Sequence, residues 1–194
     1  MEIYHKILNI HKKQLKNLEV NHKKLLICFS AIPCSGKTYV SKILEDKYMA
    51  VRINNDDIRL IIRSFIQGTS KEMIDERQEI LQEYLMWFLE NYPFSNKLII
   101  LDSCIDRKYD KIKQVADKHG FNIFIIALNV LKDTAYKRAL TRNNDKQDDN
   151  FNQNIDRWIR ENKEFNIKIK SNISLEGENL TIKSLFSKLD KIVL

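Results

Sequence analysis

The chain has 194 residues, room for one domain of ordinary size and too few for two. Hydrophobic residues make up 43% and charged residues 30%, with 4 Gly and 2 Pro, which excludes disordered, collagen-like and low-complexity classes. A formal net charge of +7 invites a nucleic-acid partner, but the basic residues are mostly Lys in a sequence rich in Ile and Asn, a bias that AT-rich coding produces alone, so the charge is weak evidence.

Residues 1–24 form a basic opening in which Ile3, Ile7, Leu8, Leu15 and Leu18 recur at helical spacing, predicting an amphipathic helix packed on the core. Six Lys against Glu2 and Glu19 give it a net +4, and it holds His5, His11 and His22 at spacings that make no metal site. Its charges leave no apolar run of the secretory kind, and the runs Leu25–Ile32 and Ile123–Leu131 are too short to span a bilayer. Cys28, Cys34 and Cys104 are odd in number and scattered, as suits a reducing cytoplasmic setting without disulfides.

From Leu25 onward short apolar runs alternate with helical patterns. Strands are predicted at Leu25–Ser30, Ala50–Asn54, Lys97–Leu101, Asn122–Leu128 and Ser171–Leu175. Helices are predicted from Gly36 to Tyr48, from near Asp56 to a break at Gly68, and over Ser70–Asn91, Arg107–His119, Lys132–Thr141, Ile155–Phe165 and Thr181–Ile192. Asn143–Asn154 is the most polar stretch and reads as a mobile loop, so that about 143–166 forms a candidate helical lid. Strands separated by helices of this length imply mainly parallel pairing, and the expected fold is a three-layer α/β/α sandwich around a five-stranded sheet over 25–194.

Ala31-Ile32-Pro33-Cys34-Ser35-Gly36-Lys37-Thr38 fits the phosphate-loop pattern GxxxxGK[ST] with Ala in place of the first Gly, and it lies between a predicted strand and a predicted helix. Backbone amides of such a loop wrap a β-phosphate at the positive end of the helix. Lys37 is then placed to reach the β- and γ-phosphates, and Thr38 to ligate Mg²⁺. Asp56 and Asp57 follow the second strand at the same crevice, where a carboxylate could take the proton of an acceptor hydroxyl. The plainer reading makes them first-turn helix acids with Asn55 as cap. Asp102, after LIIL, is either a group holding a Mg²⁺ water or a substrate contact. Arg138 and Arg142 share a helix face leading into the lid, with Arg157 and Arg160 as rivals for the arginine over the migrating phosphoryl group. A guanine-reading NKxD motif is not formed by Asn96-Lys97-Leu98-Ile99, and the chain is short for an AAA+ motor.

The ordered set AIPCSGKT, INNDDIR, LIILDS and YKRALTR resembles the small P-loop kinases related to phage-type polynucleotide 5′-kinases, over about Leu25–Asn144. The resemblance implies that Asp56 is the general base with Asp57 beside it. It implies further that Arg59 holds a phosphate of the acceptor, that Asp102 and Ser103 contact substrate, and that Arg138 and Arg142 contact the nucleotide phosphates. Ala31 and Cys34 stand where that family usually has Gly, and Asn55 where it often has a basic residue. The expected activity is transfer of the γ-phosphate of ATP, with Mg²⁺, to a hydroxyl. A polynucleotide 5′-hydroxyl on single-stranded nucleic acid is the favoured acceptor. The alternatives are a small-molecule acceptor (a metabolite, an antibiotic or a nucleotide sugar), as in zeta-toxin-like and antibiotic kinases of the same layout, and a non-catalytic nucleotide-binding module, against which the Asp56–Asp57 pair speaks; Arg59 and the basic balance favour an anionic acceptor of either class.

Overall fold

β1, Leu25–Ala31, carries the sequence LLICFSA and is buried at every position, which only a central strand covered on both faces requires. In the computed structural model, which describes residues 3–9, 24–91, 98–142, 149–176 and 182–193, it is the middle of a sheet ordered β2-β3-β1-β4-β5. The other strands are β2 (Val51–Asn54), β3 (Leu98–Cys104), β4 (Asn122–Asn129) and β5 (Ile173–Glu176). All neighbouring pairs are parallel, so the five-stranded α/β sandwich expected from the alternating pattern is the fold.

Helices cover both faces. Residues 3–9 form α1. They are followed by α2 (Lys37–Tyr48), α3 (Asn55–Phe65), α4 (Lys71–Asn91), α5 (Tyr109–Lys118), α6 (Lys132–Arg142), α7 (Asp149–Lys168) and α8 (Ile182–Val193). On one face Ile58 and Ile62 of α3, Tyr84 and Phe88 of α4 and Phe165 of α7 pack against Leu26, Cys28 and Ile99, and Ile7 of α1 joins them, fully buried. On the other, Val40 and Leu44 of α2 and Leu185 and Leu189 of α8 pack against Ile27, Phe29 and Ile126. The remainder of the expected opening helix, residues 10–23, lies outside the described residues.

Two expectations need correcting. β3 does not stop before Asp102 but runs to Cys104. Its register against β1 shifts between Ile27–Ile100 and Phe29–Cys104, an irregularity that absorbs extra residues and sets Asp102 inside the sheet's carboxyl edge. The polar stretch 143–154 is not a loop throughout, because α7 starts at Asp149; residues 143–148 are outside the described residues. Phe151 and Ile155, nearly fully buried, with half-buried Trp158 and Ile159, make an i, i+4, i+7, i+8 stripe that extends the helix in spite of its polar composition. That stripe packs on Ile32, Ala135 and Ala139, joining α6 and α7 to the loop after β1.

In this strand order the chain leaves β1 toward β2 and leaves β3 toward β4, in opposite directions across the sheet. The carboxyl ends of β1 and β3 therefore flank a topological switch point, the crevice where open α/β sheets bind ligands.

Candidate active site

The loop 31–38 turns directly from β1 into α2. Two of its residues take left-handed backbone conformations, Cys34 at φ 60° and Gly36 at φ 100°. Gly36 is the N-cap of α2 and has no side chain to cap the helix, so the first amides of α2 are left to the crevice. Lys37 folds back over the loop, its Nζ donating to the carbonyl of Ile32 at 3.3 Å. Ala31 is buried at the strand's end, Pro33 is half-buried, and Ser35 is fully buried with a hydroxyl that has no partner. Arg138 of α6 donates from Nη1 to the carbonyls of Cys34 and Ser35, at 3.4 and 3.3 Å, bracing the loop from α6.

Thr38, exposed on the first turn of α2, is 3.4 Å by its hydroxyl from Oδ1 of Asp102. The side chain of Asp102 is 1% exposed, and its Oδ2 accepts from Nη1 of Arg52 at 2.8 Å. Arg52, on β2, also donates from Nε to Oε2 of Glu45 on α2 at 2.5 Å. Burial works against the Arg52 charge, but Glu45 and Asp102 outweigh it and hold the guanidinium's pKa above its ordinary value. Ser103, also buried, follows Asp102 in β3.

Across the crevice β2 passes straight into α3. Asn54, not Asn55, is the cap: its Oδ1 accepts from the amide of Asp56 at 2.9 Å, because Asn54 keeps extended geometry (φ −100°, ψ 117°) while Asn55 is already helical and buried. Asp56 and Asp57 are exposed in the first turn. Asp56 accepts from Arg59 at 3.0 Å and lies 3.8 Å from Arg142 of α6. The four-residue spacing of Arg138 and Arg142 thus sends one arginine to the phosphate loop and the other to Asp56. Arg157 and Arg160 are exposed on α7, Arg157 lying 3.9 Å from Glu161, whereas α6 brings Arg138 to the loop and Arg142 to within 3.8 Å of Asp56.

Sequence reasoning missed a partly buried polar cluster that joins α7 to β1 and to the residues after β3. Asn162 of α7 donates to Oδ2 of Asp106 at 2.8 Å and to the hydroxyl of Ser30 at 2.9 Å. Ser30 in turn donates to Asn166 at 3.1 Å. Asp106 keeps a buried Oδ1 without a partner, and burial, only partly offset by Asn162, Cys104 and Ser30, raises its carboxyl above the usual range. Burial likewise pushes the Cys104 thiol up to about 11. The four-residue spacing of Asn162 and Asn166 and the lone charge in the strand AVRIN were the available signals for this cluster and for Arg52.

A phosphate loop on β1, a buried carboxylate beside its threonine and arginines on a helix over the crevice define a P-loop kinase, a phosphotransferase. The zeta toxin family profile matches residues 9–186, and the chain belongs to that family. No curated protein matches the sequence. Among solved structures the toxin–antitoxin system PezAT of Streptococcus pneumoniae is 14% identical with a TM-score of 0.66, covering 93% of this chain and 80% of that one. Shikimate kinase from Acinetobacter baumannii, in complex with shikimate, is 12% identical with a TM-score of 0.55, covering 92% and 95%. The Mycobacterium tuberculosis APS kinase, in complex with AMPPNP and APS, is 12% identical with a TM-score of 0.52, covering 88% and 97%. At these identities the likeness is one of fold. Among the described residues no helix is long and apolar enough to cross a membrane.

Proposed function

We propose that the protein transfers the γ-phosphate of ATP to a hydroxyl group of a small anionic molecule. The observation that carries this reading is that one helix, α6, reaches both halves of the crevice, Arg138 touching the phosphate loop and Arg142 approaching Asp56. A nucleotide switch has no use for a carboxylate held opposite its phosphates, whereas a kinase needs one.

Each residue then has a task. The amides of Ser35 to Thr38 and the Lys37 ammonium hold the β- and γ-phosphates, with Ala31, Pro33 and Cys34 shaping the turn. Thr38 and Asp102 are hard oxygen donors in contact, a set that suits Mg²⁺. When bound, that ion neutralises charge on the phosphate oxygens. The pairing of Asp102 with Thr38 and Arg52 favours this role over direct contact with substrate. Asp56 accepts the proton of the acceptor hydroxyl, whose oxygen forms a bond to the γ-phosphorus as the bond to the bridging oxygen breaks and ADP leaves with that electron pair. Arg142 moves from Asp56 to the migrating phosphoryl group, and Arg138 stays on the nucleotide phosphates. Asp57, Arg59 and Ser103 are assigned to the acceptor.

Support for a small acceptor over a polynucleotide comes from the zeta toxin family itself and from a fold shared with kinases solved with shikimate and with APS. The test is incubation with γ-labelled ATP and Mg²⁺ against two sets of acceptors, metabolites with nucleotide sugars and a 5′-hydroxyl oligonucleotide. Lys37→Ala serves as control. Label in a small molecule, abolished in the control, is the expected result. Label confined to the oligonucleotide would restore the polynucleotide acceptor, and tight nucleotide binding with no turnover on any acceptor would leave a binding module.

A further inference from the structure

Charged residues are rare in the strands of a sheet covered on both faces, and β2 carries one, Arg52, with its side chain only 12% exposed. It closes a ring of four residues. Thr38 and Glu45 lie seven apart on α2, hence on one face of that helix. Asp102 and Arg52 stand on the paired strands β3 and β2, where Asn54 is opposite Asp102 and Arg52 opposite Ile100. Thr38 meets Asp102 at 3.4 Å, Asp102 meets Arg52 at 2.8 Å and Arg52 meets Glu45 at 2.5 Å.

The ring treats the two oxygens of Asp102 differently. Oδ2 is occupied by a guanidinium that is itself held at Nε, so the carboxylate plane cannot turn freely. Oδ1 is aimed at the Thr38 hydroxyl. We infer that Arg52 is a positioning residue: it reserves one oxygen of Asp102 for the protein and presents the other, held in a fixed orientation, to the divalent cation. Glu45 acts one step further back, fixing the fork of Arg52 against α2. This rests on the kinase reading above, because it assigns Thr38 and Asp102 to the metal.

The purely mechanical alternative is that the ring only ties α2 to the sheet, and the two separate in binding. Mn²⁺ is titrated onto the complex with AMPPNP and read by electron paramagnetic resonance. AMPPNP affinity is measured separately in EDTA. Wild type, Arg52→Gln, Arg52→Lys and Glu45→Gln are compared. Arg52→Gln is expected to weaken Mn²⁺ by about tenfold or more, as loss of a group orienting a metal ligand does. Metal-free AMPPNP affinity stays unchanged. Arg52→Lys gives an intermediate loss, since a point charge can pair Asp102 without fixing its plane. A folded Arg52→Gln with wild-type Mn²⁺ affinity overturns the inference, as does an equal loss of metal-free nucleotide binding. Should Arg52→Gln not fold, Glu45→Gln leaves the Asp102 partner in place and must still show the weaker Mn²⁺ binding; wild-type affinity in it overturns the inference too. A wild-type protein that binds neither AMPPNP nor its Mn²⁺ complex would sink the kinase reading instead, and this inference with it.

Discussion

The two sides of the crevice are built differently. On the nucleotide side, Asp102 is buried and Arg52 largely so, and they are tied through Glu45 and Thr38 by contacts that join the neighbouring elements α2 and β2 to the distant strand β3. On the acceptor side, Asp56 is 58% exposed, its nearest partner is Arg59 three residues on, and Arg142 stands 3.8 Å away on an arginine 72% exposed. Exposed pairs of that kind contribute little, about 0–1 kcal/mol. The proposed phosphate-binding half is thus built before any ligand arrives, while the proposed catalytic half is one of weak contacts that a substrate can exchange for its own. This division suits the proposed kinase, whose base and arginine must exchange their contacts with each other for contacts with substrate when an acceptor arrives.

The sharpest way to break the comparison is Asp56→Asn. If Asp56 takes the acceptor proton, kcat should fall by roughly 10²–10⁴-fold. Nucleotide affinity and thermal stability should stay at wild-type values, because among the described residues the Asp56 carboxylate pairs with Arg59 and Arg142 in exposed contacts and with no residue of the phosphate loop. Steady-state rates beside calorimetric nucleotide binding check both halves. Turnover near wild type would remove Asp56 from the mechanism.

Next in size is Ile155→Ala. Ile155 is 3% exposed in the small cluster that joins α7 to Ile32 of the phosphate loop. Truncation should cost about 2–4 kcal/mol of stability, read from denaturant midpoints. The lid and the loop share this cluster, so nucleotide affinity should weaken as well, in contrast to Asp56→Asn. An Ile155→Ala protein of normal stability would mean that the lid helix does not rest on the loop.

Asp106→Asn probes the polar cluster that Asn162 makes with Ser30 and Asp106. Burial raises the Asp106 carboxyl in the folded protein, so the folded state holds its proton more tightly than the unfolded chain. Stability from this group is therefore present in acid and lost as pH rises through its folded value. The amide keeps an acceptor for Asn162 and cannot ionise. The variant should melt higher than wild type at pH 7, with the gap closing toward about pH 3, where both forms are neutral. A gap that stayed constant with pH would assign the gain to packing rather than charge.

The nucleotide side was legible in the sequence because its signals are local. The loop 31–38 carries its glycine, lysine and threonine at fixed spacing, and β1 announces itself by seven consecutive positions without a charge. Asp56 and Arg142 were legible for the same reason, each sitting at a predictable strand or helix end. What stayed hidden depends on contacts between distant elements. Arg52 meets Asp102 across fifty positions, and Asn162 meets Ser30 across 132. Nothing in AVRIN says that the arginine lies under the phosphate-loop helix rather than in water. The start of α7 was obscured in another way: its composition is that of a loop, and only the burial of Phe151 and Ile155 against Ala135 and Ala139 makes it a helix. Asn54 and Asn55 are chemically equal cap candidates, and the choice between them was made by where β2 stops.

The smallest effect expected concerns the loop itself. Cys34 holds φ 60°, a conformation that costs an L-residue with a Cβ about 1–2 kcal/mol. Cys34→Gly removes that strain and loses the packing of the side chain against the cluster that includes Ile32, so the net rise in Tm should be no more than about 2–4 °C. Cys34→Val should do the opposite, because a β-branched side chain is least tolerant of this region, and cost about 1–3 kcal/mol. The pair is more informative than either variant. If Val and Gly melt together, residue 34 is not held left-handed, and the turn that directs the amides of 35–38 into the crevice is shaped otherwise. If they separate as expected and nucleotide affinity follows the same order, the strain belongs to the binding conformation, and the nucleotide side is preorganised down to its tightest turn.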